Sequence, residues 1–104
     1  MPRCKITVIK KTLNQDIAKE YCQSEISTCP SFQVGQSFIA GFEKPAGFCD
    51  WAWNDIVRYV VVILTGGNFA SGIFAGWMKD ENAMIACCTD GVRPVVFKLE
   101  RLED

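Results

Sequence analysis

The sequence predicts an α+β fold: a small, mostly antiparallel sheet of about four strands packed against one long and one short helix. Three patterns carry that expectation. Residues 3–11 alternate, with Cys4, Ile6 and Val8 on one side and Lys5, Thr7 and Ile9 on the other, the period of a half-buried strand. Ala52, Ile56, Val60, Ile63 and Leu64 recur at helical spacing and are followed by Gly66-Gly67, a C-terminal stop. Two strand-like runs, 84–89 and 95–102, flank an Asp90-Gly91 turn and read as a return pair.

The elements follow in order. After the first strand, Thr12 or Asn14 can cap a short helix in which Ile17/Tyr21 and Ala18/Cys22 lie four apart and give one apolar face. A helix this short needs tertiary packing to persist. Residues 24–31 form a polar loop holding Cys29 and Pro30, and 32–39 read as a turn leading into a second strand. Gly41, Pro45 and Gly47 mark another loop. Asp50 is the expected N-cap of the long helix, with Asp55 near its start to favour the dipole. Residues 59–64 also suit a strand because four of the six are β-branched, but cap, period and stop agree on a helix. The stretch 69–78 holds Phe69, Ile73, Phe74, Trp77 and Met78 among small residues. It reads either as a loop covering the core or as a contact surface.

With 104 residues, the chain fits one domain, 1–104. Folding at this size removes roughly 60–70% of the surface an unfolded chain exposes, enough for a core without staples. A composition of 49% hydrophobic and 22% charged residues is globular rather than disordered. The net charge of −1 comes from 11 basic and 12 acidic residues mixed along the chain, so nothing supplies the electrostatic footprint of nucleic-acid binding. The acidic end, 100–104, is too short for an interaction arm. No apolar signal region follows the N-terminus, and the run 60–64 is far short of a membrane span. Cytoplasmic localisation without membrane partners is the expectation.

The chain has no histidine, which removes the commonest general base and the Ser-His and Cys-His pairs. No glycine-rich phosphate loop follows a strand. Chemistry would therefore rest on the cysteines or on Asp, Glu, Lys, Arg and Tyr. There are six cysteines: Cys4, Cys22, Cys29, Cys49, Cys87 and Cys88. No CxxC occurs, so neither a zinc ribbon nor a thioredoxin-type pair is signalled. A Zn or Fe–S site gathered in space from Cys22, Cys29, Cys49 and one of Cys87 and Cys88 is an alternative to the favoured reading, small buried hydrophobes in a reducing cytosol. Adjacent residues of a strand face opposite sides, so one of Cys87 and Cys88 is expected in the core, nearly fully buried, and both are expected reduced.

Two further groups are candidates for a ligand site. Phe48, Cys49, Asp50, Trp51 and Trp53 gather at the start of the long helix, where its N-terminus favours a Cys49 thiolate and Asp50 opposes it. The bland alternative for the aromatics is core or interface packing. Asp90 and Arg93 flank a turn and suit an anion or substrate, or a structural pair.

Gly47-Phe48-Cys49-Asp50-Trp51-Ala52-Trp53 and Cys87-Cys88-Thr89-Asp90-Gly91-Val92-Arg93-Pro94-Val95-Val96-Phe97 resemble the signatures of a family of short, cysteine-containing, uncharacterised prokaryotic proteins. The start, Lys5 to Lys11, and the middle, Tyr21-Cys22 through Cys29-Pro30 and Gly35, are similar too, so the resemblance covers nearly the whole chain. It implies a stand-alone bacterial or archaeal protein of about this length and carries over no catalytic assignment.

Three functions compete on this reading. The first is a small binding or self-assembling protein, including a homo-oligomer built through 69–78. The second is a metal or redox protein using the cysteines. The third is a histidine-free enzyme around Cys49, Asp50, Asp90 and Arg93.

Overall fold

The computed structural model describes residues 3–102; Met1, Pro2, Glu103 and Asp104, and with the last two part of the acidic end, lie outside the described residues. The elements run β1 (Arg3–Lys11), α1 (Gln15–Tyr21), β2 (Ser37–Ala40), α2 (Asp50–Leu64), a single 3-10 turn at Gly72–Phe74, β3 (Ala83–Cys87) and β4 (Val95–Leu102). The four strands form one sheet in the order β2-β1-β4-β3, every pair antiparallel. The α+β class and strand number expected from the pattern are those of the structure.

Register explains the core. Phe38, Ile6, Leu99 and Met84 stand in one cross-strand row, and Val8, Phe97 and Ala86 in the next. Opposite residues of an antiparallel pair share a face, so both rows point the same way. α2 lies over that face and buries Ala52, Ile56, Val60, Ile63 and Leu64 against β1, β3 and β4. The other face carries Lys5, Thr7, Lys98 and Glu100 with the exposed Ile39 and Ile85. The register between β1 and β4 shifts between Val8 and Lys10, so Ile9 is the extra residue of a bulge and stands exposed.

Several local expectations need correction. α2 starts at Asp50 with Cys49 in the cap position, and Asp50 is the first helical residue, paired with Lys44 at 3.3 Å. In α1, Ala18 is buried and Cys22 half-buried, but Ile17 and Tyr21 are exposed, so only one of the two spaced pairs faces inward. Asn14 holds the α1 cap position without a side-chain cap; its amide donates to the Gly91 carbonyl at 2.8 Å instead. The turn leading into the second strand is as expected, the strand itself being Ser37–Ala40, and Phe32, ahead of the turn, lies wholly within the core. β3 ends at Cys87 rather than Thr89, because the Val95 N–H goes to Cys88 Sγ at 3.3 Å instead of completing the ladder pair with Cys88, and the next residue of the partner strand's chain, Pro94, has no N–H to give. In the stretch 69–78, Phe69 packs in the core, while Ile73 and Trp77 are 89% and 70% exposed.

Polar bonds fix the C-terminal end of α2. Gly66 adopts φ +84°, Gly67 N–H donates to Val62 O at 2.9 Å, and Gly66 N–H donates to Ile63 O at 3.4 Å, the paired bonds of a Schellman stop. Arg101 of β4 adds a cation at the negative end of the helix dipole. Its guanidinium donates to the carbonyls of Ile63 and Gly67 and to Asn82 Oδ1. No helix among the described residues is long and apolar enough to cross a membrane.

Arg101→Met keeps a long apolar stem but strips the donor from partly buried carbonyls at the end of α2. The expected loss is about 1–3 kcal/mol in chemical denaturation, since an unpaired buried acceptor costs that much. Wild-type stability in this variant would show that water satisfies these carbonyls equally well.

Candidate functional site

Three segments far apart in sequence meet at one end of the sheet. The start of β4 supplies Val95, whose N–H donates to Cys88 Sγ at 3.3 Å and whose carbonyl accepts from Cys88 N–H at 3.1 Å. α2 supplies its N-terminal end, with Cys49, Trp51 and Ala52 facing the same space. The loop after α1 supplies Cys29, Ser31 and Phe32. Between them lies a pocket of about 390 Å³, completed by Thr89, Asp90 and Arg93 from the β3–β4 turn. Its size falls within the range of small-ligand sites.

The walls differ in character. Phe32, Ala52 and Val95 are buried and form the apolar side. Cys29, Cys49 and Cys88 are half-buried and pack against the core. Trp51 is 75% exposed, so most of its indole meets solvent beside the opening.

The β3–β4 turn is built by two carboxylates. Asp90 Oδ1 accepts the N–H groups of Val92 and Arg93 at 2.8 and 3.0 Å, an Asx-type turn. Its Oδ2 lies 3.5 Å from Arg93 Nε. The Arg93 N–H bond, with the Val92 N–H and the guanidinium adding to it, holds the Asp90 carboxyl below the usual carboxylate range. Asp55, one turn into α2, ties the helix to this turn through Thr89 N–H. The Asp90 carboxylate, held this low, is not a base poised near neutrality.

The candidate residues separate once placed. Cys49, Trp51, Asp90 and Arg93 line the pocket, so the two quoted motifs meet there. Phe48 does not line it; the ring lies in the core, 5.1 Å from Phe32 and 5.5 Å from Phe97. Trp53 also lies outside the lining, with its ring 6.1 Å from Phe48. Asp50 points to Lys44 on the exposed side. Cys22 lines a separate open groove between α1 and the loop that follows it. Cys87 is exposed at the end of β3, and burial, followed by the nearby Cys88 and Asp55, pushes its thiol up.

Among the described residues no three His, Cys, Asp or Glu side chains converge closely enough to hold a metal ion. The five cysteines considered as ligands thus supply no ligand set for Zn or Fe–S there. All six cysteines are free thiols. Of the adjacent pair, Cys88 faces the core and Cys87 does not; Cys88 is half-buried rather than nearly fully buried, because it sits past the strand end.

Pattern reading missed Ser31, Phe32, Ala52, Thr89 and Val95 as pocket residues, and missed the Asp55 tether. Nothing in their spacing distinguishes them from ordinary core or loop residues. Cys29 and Cys88 drew attention only as metal ligands.

Cys4 provides a test of the core beneath the site. It is fully buried on β1, and burial pushes its thiol from 9.0 up to about 12. A folded-state value above the unfolded one means the contribution is complete below about pH 9 and is lost as pH rises through about 12. Stability should therefore fall over that window, with a smaller fall in Cys4→Ala. In native protein at pH 8 a small alkylating reagent should leave Cys4 unlabelled and modify Cys87. Rapid native labelling of Cys4 would show that β1 is not packed as described.

Comparison with protein-family models, with curated proteins and with solved structures finds no match to this chain.

Proposed function

We propose that this protein is a small-ligand binding module and that the pocket between the α2 N-terminus, the Cys29–Phe32 loop and the β3–β4 turn is its site. The observation that carries this reading is the convergence of three sequence-distant segments on one mainly apolar cavity with a few polar groups at its edge. The tethers support it, because Asp55 to Thr89 and Asp90 to Val92 and Arg93 brace the cavity wall before any ligand arrives. Binding is favoured over catalysis because the Asp90 carboxylate that shares the cavity with Cys49 and Arg93 is held low by the turn's N–H groups, and Asp50 lies outside the cavity. The cytoplasm, where half-buried thiols stay reduced, is the compartment that suits such a site.

A fragment panel titrated into isotope-labelled protein tests this. Bound fragments should move the amide signals of 29–32, 49–52 and 88–95, and should slow alkylation of Cys29, Cys49 and Cys88 but not of Cys22 or Cys87. Ser31→Trp, which adds bulk at an exposed lip position, should abolish both effects with the melting temperature retained. Signals that move elsewhere, or Ser31→Trp binding like wild type, would remove the reading.

A second reading, association of two copies, is favoured by Ile73 and Trp77, large apolar side chains exposed on one short segment. It expects association at micromolar concentration, lost in the double variant Ile73→Ser, Trp77→Ser. A wild-type protein that sediments as a monomer throughout that range would exclude it.

A further inference from the structure

We propose that the ligand of this pocket is a small carboxylate with an apolar body, its carboxylate taken by the two terminal nitrogens of Arg93. The inference rests on the pocket being a binding site and adds the chemistry of what it binds. Arg93 is the only cation among the pocket-lining residues. Its Nε faces Asp90 Oδ2, and no described residue hydrogen-bonds to Nη1 or Nη2. Asp90 stands beside Nε and leaves the terminal fork without a described hydrogen-bond partner, and such a fork matches a carboxylate bidentately.

The other charges nearby are already engaged. Asp90 accepts two backbone N–H groups as well as facing Arg93, Asp55 accepts Thr89 N–H, and Asp50 pairs with Lys44. Each of these three carboxylates thus has a hydrogen-bond or ion-pair partner of its own. The N-terminal end of α2 adds to the preference: Cys49, Trp51 and Ala52 line the cavity, and no side chain caps the helix there. The body of the ligand is dictated by the rest of the lining. Phe32, Ala52 and Val95 offer no charge and no side-chain hydrogen bond, so they suit a compact apolar group. A bare inorganic oxyanion would leave that wall unused.

The test is a titration of the full chain, isotope-labelled, with benzoate, its neutral isostere benzamide, and inorganic phosphate. Benzoate should shift the amides of Trp51, Ala52 and 89–93 and should bind about tenfold or more tighter than benzamide, as a charge-assisted pair requires. Arg93→Gln should erase that preference while benzamide binding is retained. Equal affinity for benzoate and benzamide in wild type overturns the carboxylate, whatever the variant does, and leaves the pocket reading intact. Phosphate binding as tightly as benzoate overturns the apolar body. If benzoate moves no pocket amide at millimolar concentration while neutral fragments do, the carboxylate is overturned alone; if no fragment moves one either, the binding site falls with it.

Discussion

Phe97 rises from the centre of the sheet and meets Phe32 at 5.1 Å and Phe48 at 5.5 Å, and those two rings meet each other at 5.1 Å. The three residues come from β4 and from two irregular segments with no sheet or helix of their own to dock through. Beyond this cluster, residues 22–36 are tied to β1 at their far end, through Gly35 N–H to Val8 O at 2.8 Å and Val8 N–H to Gln36 O at 2.9 Å. Most of these contacts are edge-to-face, which sets ring orientation as well as distance, and each is worth about 0.5–1.5 kcal/mol beyond area buried. Phe38 joins the cluster 4.9 Å from Phe48, linking it to the edge strand β2. With this cluster in place, the loop bearing Cys29 and Ser31 and the chain entering α2 at Cys49 are both held beside the start of β4.

The long helix is then fixed at both ends by different means. Near its N-terminus, Asp55 reaches the β3–β4 turn, and Lys44 donates to the Phe48 carbonyl at 2.6 Å. At its C-terminus the Schellman bonds and the Arg101 fork satisfy carbonyls that a helix leaves open. Between the ends, packing is apolar, and a second aromatic group, Tyr59, Phe69 and Phe74, covers the flank. No buried side-chain nitrogen or oxygen among the described residues lacks a partner. No polar or charged residue is buried among the described residues, and the polar contacts that anchor α2 lie at its ends, where backbone groups need them.

The pocket is a consequence of this division. Its apolar wall is a continuation of the core, through Phe32, Ala52 and Val95, and its polar edge is a turn that carboxylates hold rigid. The functional side chains are therefore placed by scaffold contacts rather than by each other. Asp90, held by two backbone amides, places a fixed carboxylate 3.5 Å from Arg93 Nε at the pocket edge.

The elements of this protein were legible in its sequence because their signals are local. Alternation over β1, the helical period and glycine stop of α2, and the paired runs around Asp90-Gly91 depend on backbone geometry and on which face meets apolar surroundings. What needed the tertiary structure was every outcome of competition between partners. Asp50 has a good cap residue's chemistry, but Lys44 reaches it and Cys49 takes the cap position. The strand at β3 stops early because the Val95 N–H is taken by the Cys88 thiol, and Asp55, 34 residues away, then claims the Thr89 N–H. Phe48 and Trp51 sit three residues apart in an aromatic-rich motif, yet one is buried in the core and the other exposed at the pocket. Sequence alone assigns an apolar side chain to a face; only the assembled chain decides whether that face is filled by another ring or left open as a cavity, because that depends on volumes contributed by segments with no periodic link to one another.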